Sequence, residues 1–174
     1  MVSSQPRLPK SARKAVVRPL FAETEPFARD FAMDEARSTV VSARAHLGFY
    51  LDEANDLATT GEAPRLSADT LLTHWSRVFS TDELNEIVIP QRTFARRKAN
   101  GEPLTVDETE RALRLARIAV EAERVFADTQ KAARWLRKPN RALNAHAPLA
   151  LLVTETGARA VEELLGQIDH GFFA

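Results

Sequence analysis

The residues of this chain best suited to chemistry are cations in a short run. Gln91, Arg92, Thr93, Phe94, Ala95, Arg96, Arg97 and Lys98 hold four bases and no acid. Arginine can donate two parallel hydrogen bonds to guanine or to a phosphate, glutamine can read adenine, and threonine or lysine can hold phosphates. That chemistry is recognition, not bond-making. His46, His74, His146 and His170 stand too far apart for metal-ligand spacing. The six glycines form no phosphate-cradling loop, and no nucleophile motif is present. With no cysteine, disulfides and thiolate metal sites are excluded. The expectation is a protein that is not an enzyme and uses no cofactor and no metal.

A length of 174 residues suits one ordinary domain, or two small ones sharing a core. No apolar run approaches the ~20 residues that span a bilayer, and the first residues lack the apolar segment of a secretory signal. A cytoplasmic protein is expected. Net charge is zero but unevenly spread. Residues 1–20 carry Arg7, Lys10, Arg13, Lys14 and Arg18 with no acid, whereas residues 21–60 hold eight acids against three bases. Local basic blocks of this kind can neutralise phosphates in a neutral protein. They also serve simply as solvated surface.

The elements that must position the basic run are helices. Residues 1–26 are interrupted by Pro6, Pro9, Pro19 and Pro26 and are expected to form a flexible basic arm. Residues 27–60 have apolar positions mostly three or four apart, with Gly48 a candidate interruption, and predict a helical extension. Ser67 suits an N-cap for a helix over 68–79, with Leu71, Leu72, Trp75, Val78 and Phe79 on its apolar side. Ser80-Thr81-Asp82-Glu83 matches a capping box, and Pro90 must end the short helix it opens. Pro90 then suits the first position of a helix over 91–99, closed by Asn100-Gly101. Thr105-Val106-Asp107-Glu108 is a second capping box for the longest helix, to about residue 127. Leu113, Ala116, Val120, Val125 and Phe126 line its predicted apolar side, widened by Ala112, Ala119 and Ala122. Asp128 suits the cap of a helix through Trp135-Leu136 that stops before Pro139. Residues 148–153 predict a helical turn, and residues 156–168 a last helix burying Val161, Leu164, Leu165 and Ile168. No segment alternates convincingly, so the fold class is all-α.

Residues 61–103 thus give three short helices, with a tight joint between the second and third. In a helix-turn-helix the first helix of the pair crosses the DNA backbone and the second enters the major groove. The candidate DNA-contacting residues are Gln91, Arg92, Thr93, Arg96, Arg97 and Lys98, with Phe94 turned inward. The turn position that usually wants a left-handed residue is Val88, which resists that conformation. Four residues earlier, where a small residue is usual, stands Leu84. Either the turn is modified, or the helix pair keeps the fold but not the groove fit; the plainest alternative is an ordinary helical hairpin with a basic face.

Arg92-Thr93, Arg96-Arg97-Lys98, Gly101, Leu104, Glu108, Arg111, Arg114-Leu115-Ala116-Arg117, Ala122, Val125-Phe126, Asp128, Ala132, Trp135-Leu136, Pro139-Asn140, Ala142-Leu143, Pro148-Leu149, Leu151-Leu152, Thr154, Gly157-Ala158, Val161-Glu162 and Leu164-Leu165 resemble the antitoxins of the MbcA/ParS/Xre family. The resemblance runs over residues 80–174; the first eighty residues resemble nothing nameable. It implies an Xre-like helix-turn-helix portion followed by a toxin-binding helical domain at 104–174. It further implies a RES-domain toxin partner that depletes NAD, direct occlusion of the toxin's active site, repression of the shared operon through promoter DNA, and a homo-oligomeric antitoxin within the complex.

The residues have physical readings of their own. Trp135 and Leu136 suit closure of a small core, and Pro139-Asn140 a loop exit. Gly157 suits a close backbone approach. Phe172 and Phe173 are large rings beyond a helix stop at Gly171. They either fold back or fill a partner's pocket, and with the family pattern the pocket is expected. The toxin-binding set is therefore Gln167, Asp169, His170, Gly171, Phe172, Phe173 and Ala174, the polar members forming a rim. Two other readings compete with this one. One is a stand-alone helix-turn-helix transcriptional regulator with no toxin partner. The other is a purely protein-binding antitoxin whose helix-turn-helix is degenerate.

Overall fold

A computed structural model describes residues 41–61 and 63–171. The basic arm expected over 1–26, the first part of the helical extension, and Phe172, Phe173 and Ala174 lie outside the described residues. The described residues are mostly helical, with no strand among them. Helix α1 (Ala43–Thr60) runs unbroken through Gly48. Then come α2 (Ala68–His74), tightened into a single 3₁₀ turn at Trp75–Arg77, α3 (Thr81–Ile87) and α4 (Gln91–Asn100). The long α5 (Val106–Phe126) leads to α6 (Thr129–Arg137), a 3₁₀ turn at Arg141–Leu143, the short α7 (Pro148–Leu151) and α8 (Glu155–Asp169). No described helix is long and apolar enough to cross a membrane.

The caps lie where side-chain chemistry demands them. Ser67, Ser80, Thr105, Asp128 and Thr154 each accept a backbone N–H of the helix they open. Both capping boxes are complete, with Glu83 and Glu108 reaching back to the amides of Ser80 and Thr105 at 2.8 and 2.7 Å. Pro90 is the N-cap of α4, one place before the first helical position expected for it. Asn140 turns the loop after α6 by accepting the Ala142 amide at 2.9 Å.

Helix α5 is the axle. It packs against α1, α6 and α8, so its burial exceeds the single apolar side expected. Leu115 and Ile118 are fully buried alongside Leu113, whereas Val120, Val125 and Phe126 are only half-buried. Ala112, Ala116, Ala119 and Ala122 are also buried. Small side chains on several faces let three helices approach one axis. Trp75 is wholly buried, and its indole N–H donates to the Ala112 carbonyl at 2.9 Å, which removes the cost of hiding that donor. Leu72, expected on the apolar side of α2, is exposed. At the start of α1, Glu123 of α5 accepts from the amides of Ala43 (2.6 Å) and Arg44 (3.1 Å) and from the Ser42 hydroxyl (2.9 Å). A carboxylate at a helix N-terminus satisfies free amides and meets the positive end of the helix dipole.

Candidate functional site

The joint between α3 and α4 is a modified turn. Val88 has φ −99° and ψ −61°, a right-handed conformation that suits a β-branched residue. The left-handed geometry that Val88 would have resisted is not used. The amides of Val88 and Ile89 both donate to the Leu84 carbonyl, at 2.9 and 3.1 Å. Ile87, Val88 and Ile89 are all buried, and Arg111 donates to the Val88 carbonyl at 3.3 Å. Three successive apolar anchors therefore close the turn, and Leu84 is accommodated as part of the same core.

Helix α4 rides lightly on that support. None of its side chains is fully buried, and Phe94 and Thr93 are half-buried. Gln91, Arg92, Arg96 and Lys98 are exposed. Arg96 meets Glu102 at 3.1 Å, and a hydrogen bond from Asn100, aided by Arg96 and Arg97, holds the Glu102 carboxyl below its usual range. Arg97 is different, because its side chain is turned inward. It lies 3.0 Å from Glu108, 3.5 Å from Glu102 and 3.3 Å from the Pro103 carbonyl. It fastens the end of α4 to the capping box of α5. Gly101 closes the helix at φ +64°, with the Glu102 amide donating to the Arg97 carbonyl at 2.9 Å.

The last third is welded more firmly. Leu136 is buried, whereas Trp135 is half-buried with its ring 5.4 Å from Phe126, not the full core residue expected. Gly157 faces the Leu151 carbonyl, with which any Cβ would collide. That contact lets α7 and α8 meet backbone to backbone. Ala158, Val161, Leu164 and Leu165 are buried, and Ile168 is half-buried. Arg117 pairs with Glu162 at 2.7 Å and Arg124 with Asp169 at 2.8 Å, so α8 is pinned along α5. The Arg124 hydrogen bond keeps the Asp169 carboxyl below the ordinary carboxylate range. Gln167, Asp169, His170 and Gly171 are exposed at the end of α8, and Gly171 turns the chain with φ +74°.

One feature is invisible along the sequence. Arg137 of α6 forks onto Glu83 of α3, with Nε to Oε1 at 2.7 Å and Nη2 to Oε2 at 2.8 Å. The same Nη2 donates to the Val78 carbonyl at 3.2 Å. Both side chains are nearly buried. Glu83 was legible as a capping residue, but nothing in the sequence marked its second partner. Among the described residues no group of three or more His, Cys, Asp or Glu is placed to hold a metal ion.

A buried-turn helix pair presenting a basic helix, clamped to a second helical unit, defines a helix-turn-helix binding protein. Residues 61–117 match the antitoxin Xre-like helix-turn-helix domain, and residues 121–171 match the antitoxin Xre/MbcA/ParS C-terminal toxin-binding domain. The chain belongs to the Xre/MbcA/ParS antitoxin family. It is similar to an antitoxin Xre of Pseudomonas putida, 44% identical over 85 residues, 49% of this chain and 54% of that one. It is 29% identical over 147 residues to an antitoxin Xre of Yersinia enterocolitica, 84% of this chain and 89% of the other. A third antitoxin Xre, from Photorhabdus laumondii, is 36% identical over 99 residues, 56% of this chain and 67% of its own. The match thus spans about half the length of the Pseudomonas relative.

Proposed function

We propose that this chain neutralises a RES-domain toxin, an NAD-depleting enzyme, by covering its active-site cleft, and that it represses its own operon through α4. It acts by binding, in the cytoplasm, as a homo-oligomer within the complex, and performs no catalysis of its own. The observation that carries the toxin half is the exposed end of α8, tied to α5 through Arg124 and Asp169. A domain matching a toxin-binding family pins that helix by ion pairs and then turns the chain at Gly171. Gln167, Asp169, His170 and Gly171 supply the polar rim, and Phe172, Phe173 and Ala174, outside the described residues, supply the plug. Apolar anchors inside a polar rim are the usual anatomy of a strong interface.

The DNA half uses Gln91, Arg92, Thr93, Arg96 and Lys98 as contacts. Arg97, committed to Glu108, keeps the helix at its angle. Deleting residues 171–174 tests the occlusion reading. Cells expressing the cognate toxin lose protection and their NAD falls, while the circular dichroism of the truncated protein is unchanged. Full protection by the truncated chain overturns occlusion. Co-purification with the product of the adjacent gene identifies the toxin.

A further inference from the structure

Residues 129–154 contain no Asp or Glu, yet they carry Lys131, Arg134, Arg137, Lys138 and Arg141. Arg137 is committed to Glu83. The other four are exposed, and among the described residues none closes an ion pair with a carboxylate. The nearest acid in the chain, Asp128, has its carboxylate occupied by the Lys131 amide at 2.8 Å. Lys131 and Arg134 lie on the side of α6 away from buried Ala132 and Leu136, and Lys138, four residues after Arg134, caps its C-terminus. Like charges at this spacing repel one another on a helix surface. The fold uses them only weakly, through the attraction of Lys131 and Arg134 to Asp128 and a 3.4 Å hydrogen bond from Arg134 to the Gln130 carbonyl, so an anionic partner is the larger use open to them.

The helix-turn-helix portion needs such help. Residues 61–103 carry six acids against six bases. On α4, Arg96 and Arg97 already face Glu102 and Glu108, which leaves Arg92 and Lys98 unpaired. Affinity for DNA rests largely on neutralised phosphates, and two free bases beside a third, Arg96, that Glu102 partly neutralises supply little of it. Position decides where the rest comes from. The Arg137 fork, with its bond to the Val78 carbonyl, fixes the end of α6 at the start of α3. In a helix-turn-helix that helix crosses the DNA backbone.

We infer that Lys131 and Arg134 on α6, Lys138 at its C-cap and Arg141 in the following 3₁₀ turn form a phosphate-backbone clamp for DNA, lying within the toxin-binding domain and lending the recognition helix its electrostatic affinity. The inference rests on the DNA half of the reading above. It assigns to α6 a sequence-independent role and leaves discrimination to α4.

The test is fluorescence anisotropy of the full chain across a salt series, on a duplex from upstream of its own gene and on an unrelated duplex. The variant Lys131→Gln, Arg134→Gln, Lys138→Gln, Arg141→Gln lowers the slope of log K against log salt by about 3 to 4 on both duplexes, near one per lost phosphate contact. Protection against the toxin is retained. Arg134→Glu with Lys138→Glu, which removes fewer positions, weakens binding in the same sequence-blind way. Gln91→Ala with Arg92→Ala instead erodes the preference between the two duplexes. If the wild type binds the upstream duplex and the α6 variants bind it with the same slope, the clamp is overturned while the DNA reading stands. If they lose toxin protection with DNA binding intact, the face belongs to the toxin and the clamp is equally overturned. If the wild type binds neither duplex, both ideas fall.

Discussion

Helices α4 and α8 are held in opposite ways. The first buries no side chain fully and is tied down at its end by Arg97 on Glu108 and by the Gly101 cap. The second buries four side chains, touches α7 at backbone distance through Gly157, and is pinned to α5 by three ion pairs, Arg114–Glu155, Arg117–Glu162 and Arg124–Asp169. On the proposed reading, α4 keeps its polar faces free for a groove and takes its angle from its ends, whereas α8 takes its position from its core and presents a fixed edge to a protein partner. The Arg137–Glu83 fork joins the two regimes, so neither region is an independent module.

The largest expected effect comes from cutting that joint. Arg137→Ala leaves the nearly buried Glu83 carboxylate with its capping bond alone, and a broken buried pair costs about 3–5 kcal/mol. Urea unfolding measures it. Arg137→Leu combined with Glu83→Gln recovers most of the loss, because the stranded charge is gone and the glutamine can still cap. An unchanged midpoint for Arg137→Ala would show that the two regions stand independently.

Next is the welded side. Gly157→Ala places a methyl on the Leu151 carbonyl, where the neighbour is backbone and cannot swing aside. Overpacking of this kind costs about 3 kcal/mol at its upper end. The damage shows as early melting of the protein and loss of toxin binding. The equivalent change at Gly166, inside the same helix and with nothing within 4 Å of an added Cβ, stabilises by about 0.5–1 kcal/mol.

The turn between α3 and α4 separates burial from backbone conformation. In a turn that needs a left-handed residue, replacing valine with glycine stabilises the protein. Here Val88 is right-handed and buried, so Val88→Gly loses about 1.5 kcal/mol or more of burial and adds roughly 0.5–1 kcal/mol of chain entropy. Thermal melting reads the sign directly. A stabilised glycine variant would restore the left-handed turn.

Why some of this was legible and some was not follows from how far each feature reaches. Ser67, Ser80 with Glu83, Thr105 with Glu108, Asp128 and Gly101 act within four residues of themselves, so their spacing in the chain is their geometry. The close approach at Gly157 was readable because only glycine permits it. Val88 misled because the turn is decided by where Ile87, Val88 and Ile89 are buried, which is a tertiary matter. Leu115 and Ile118 escaped because periodicity reports one apolar face, whereas α5 has several packed neighbours. Arg97 was visible as a charge, but its inward turn depends on Glu108, eleven residues away. Arg137 and Glu83 are 54 residues apart, beyond any local pattern.

The smallest effect bears most directly on the comparison, because it asks whether surface pins hold the edge of α8. Asp169 accepts from Arg124 at 2.8 Å, and that bond lowers its folded pKa below the unfolded value. The sign follows from linkage. The pair stabilises the fold above the unfolded carboxylate range and loses that contribution as pH falls through the lowered value. Asp169→Asn therefore melts earlier than the wild type at neutral pH and low salt, and the gap closes as pH falls through the lowered carboxyl pKa. High salt closes it too, because both partners are exposed and screened. The change in melting is small. The change in toxin affinity is larger than stability alone explains, because the proposed rim loses a charged member and the freed end of α8 must be ordered again on binding. Equal affinity of the two proteins for the toxin would leave the edge held by Val161, Leu164 and Leu165 alone, with the ion pair contributing only to solubility.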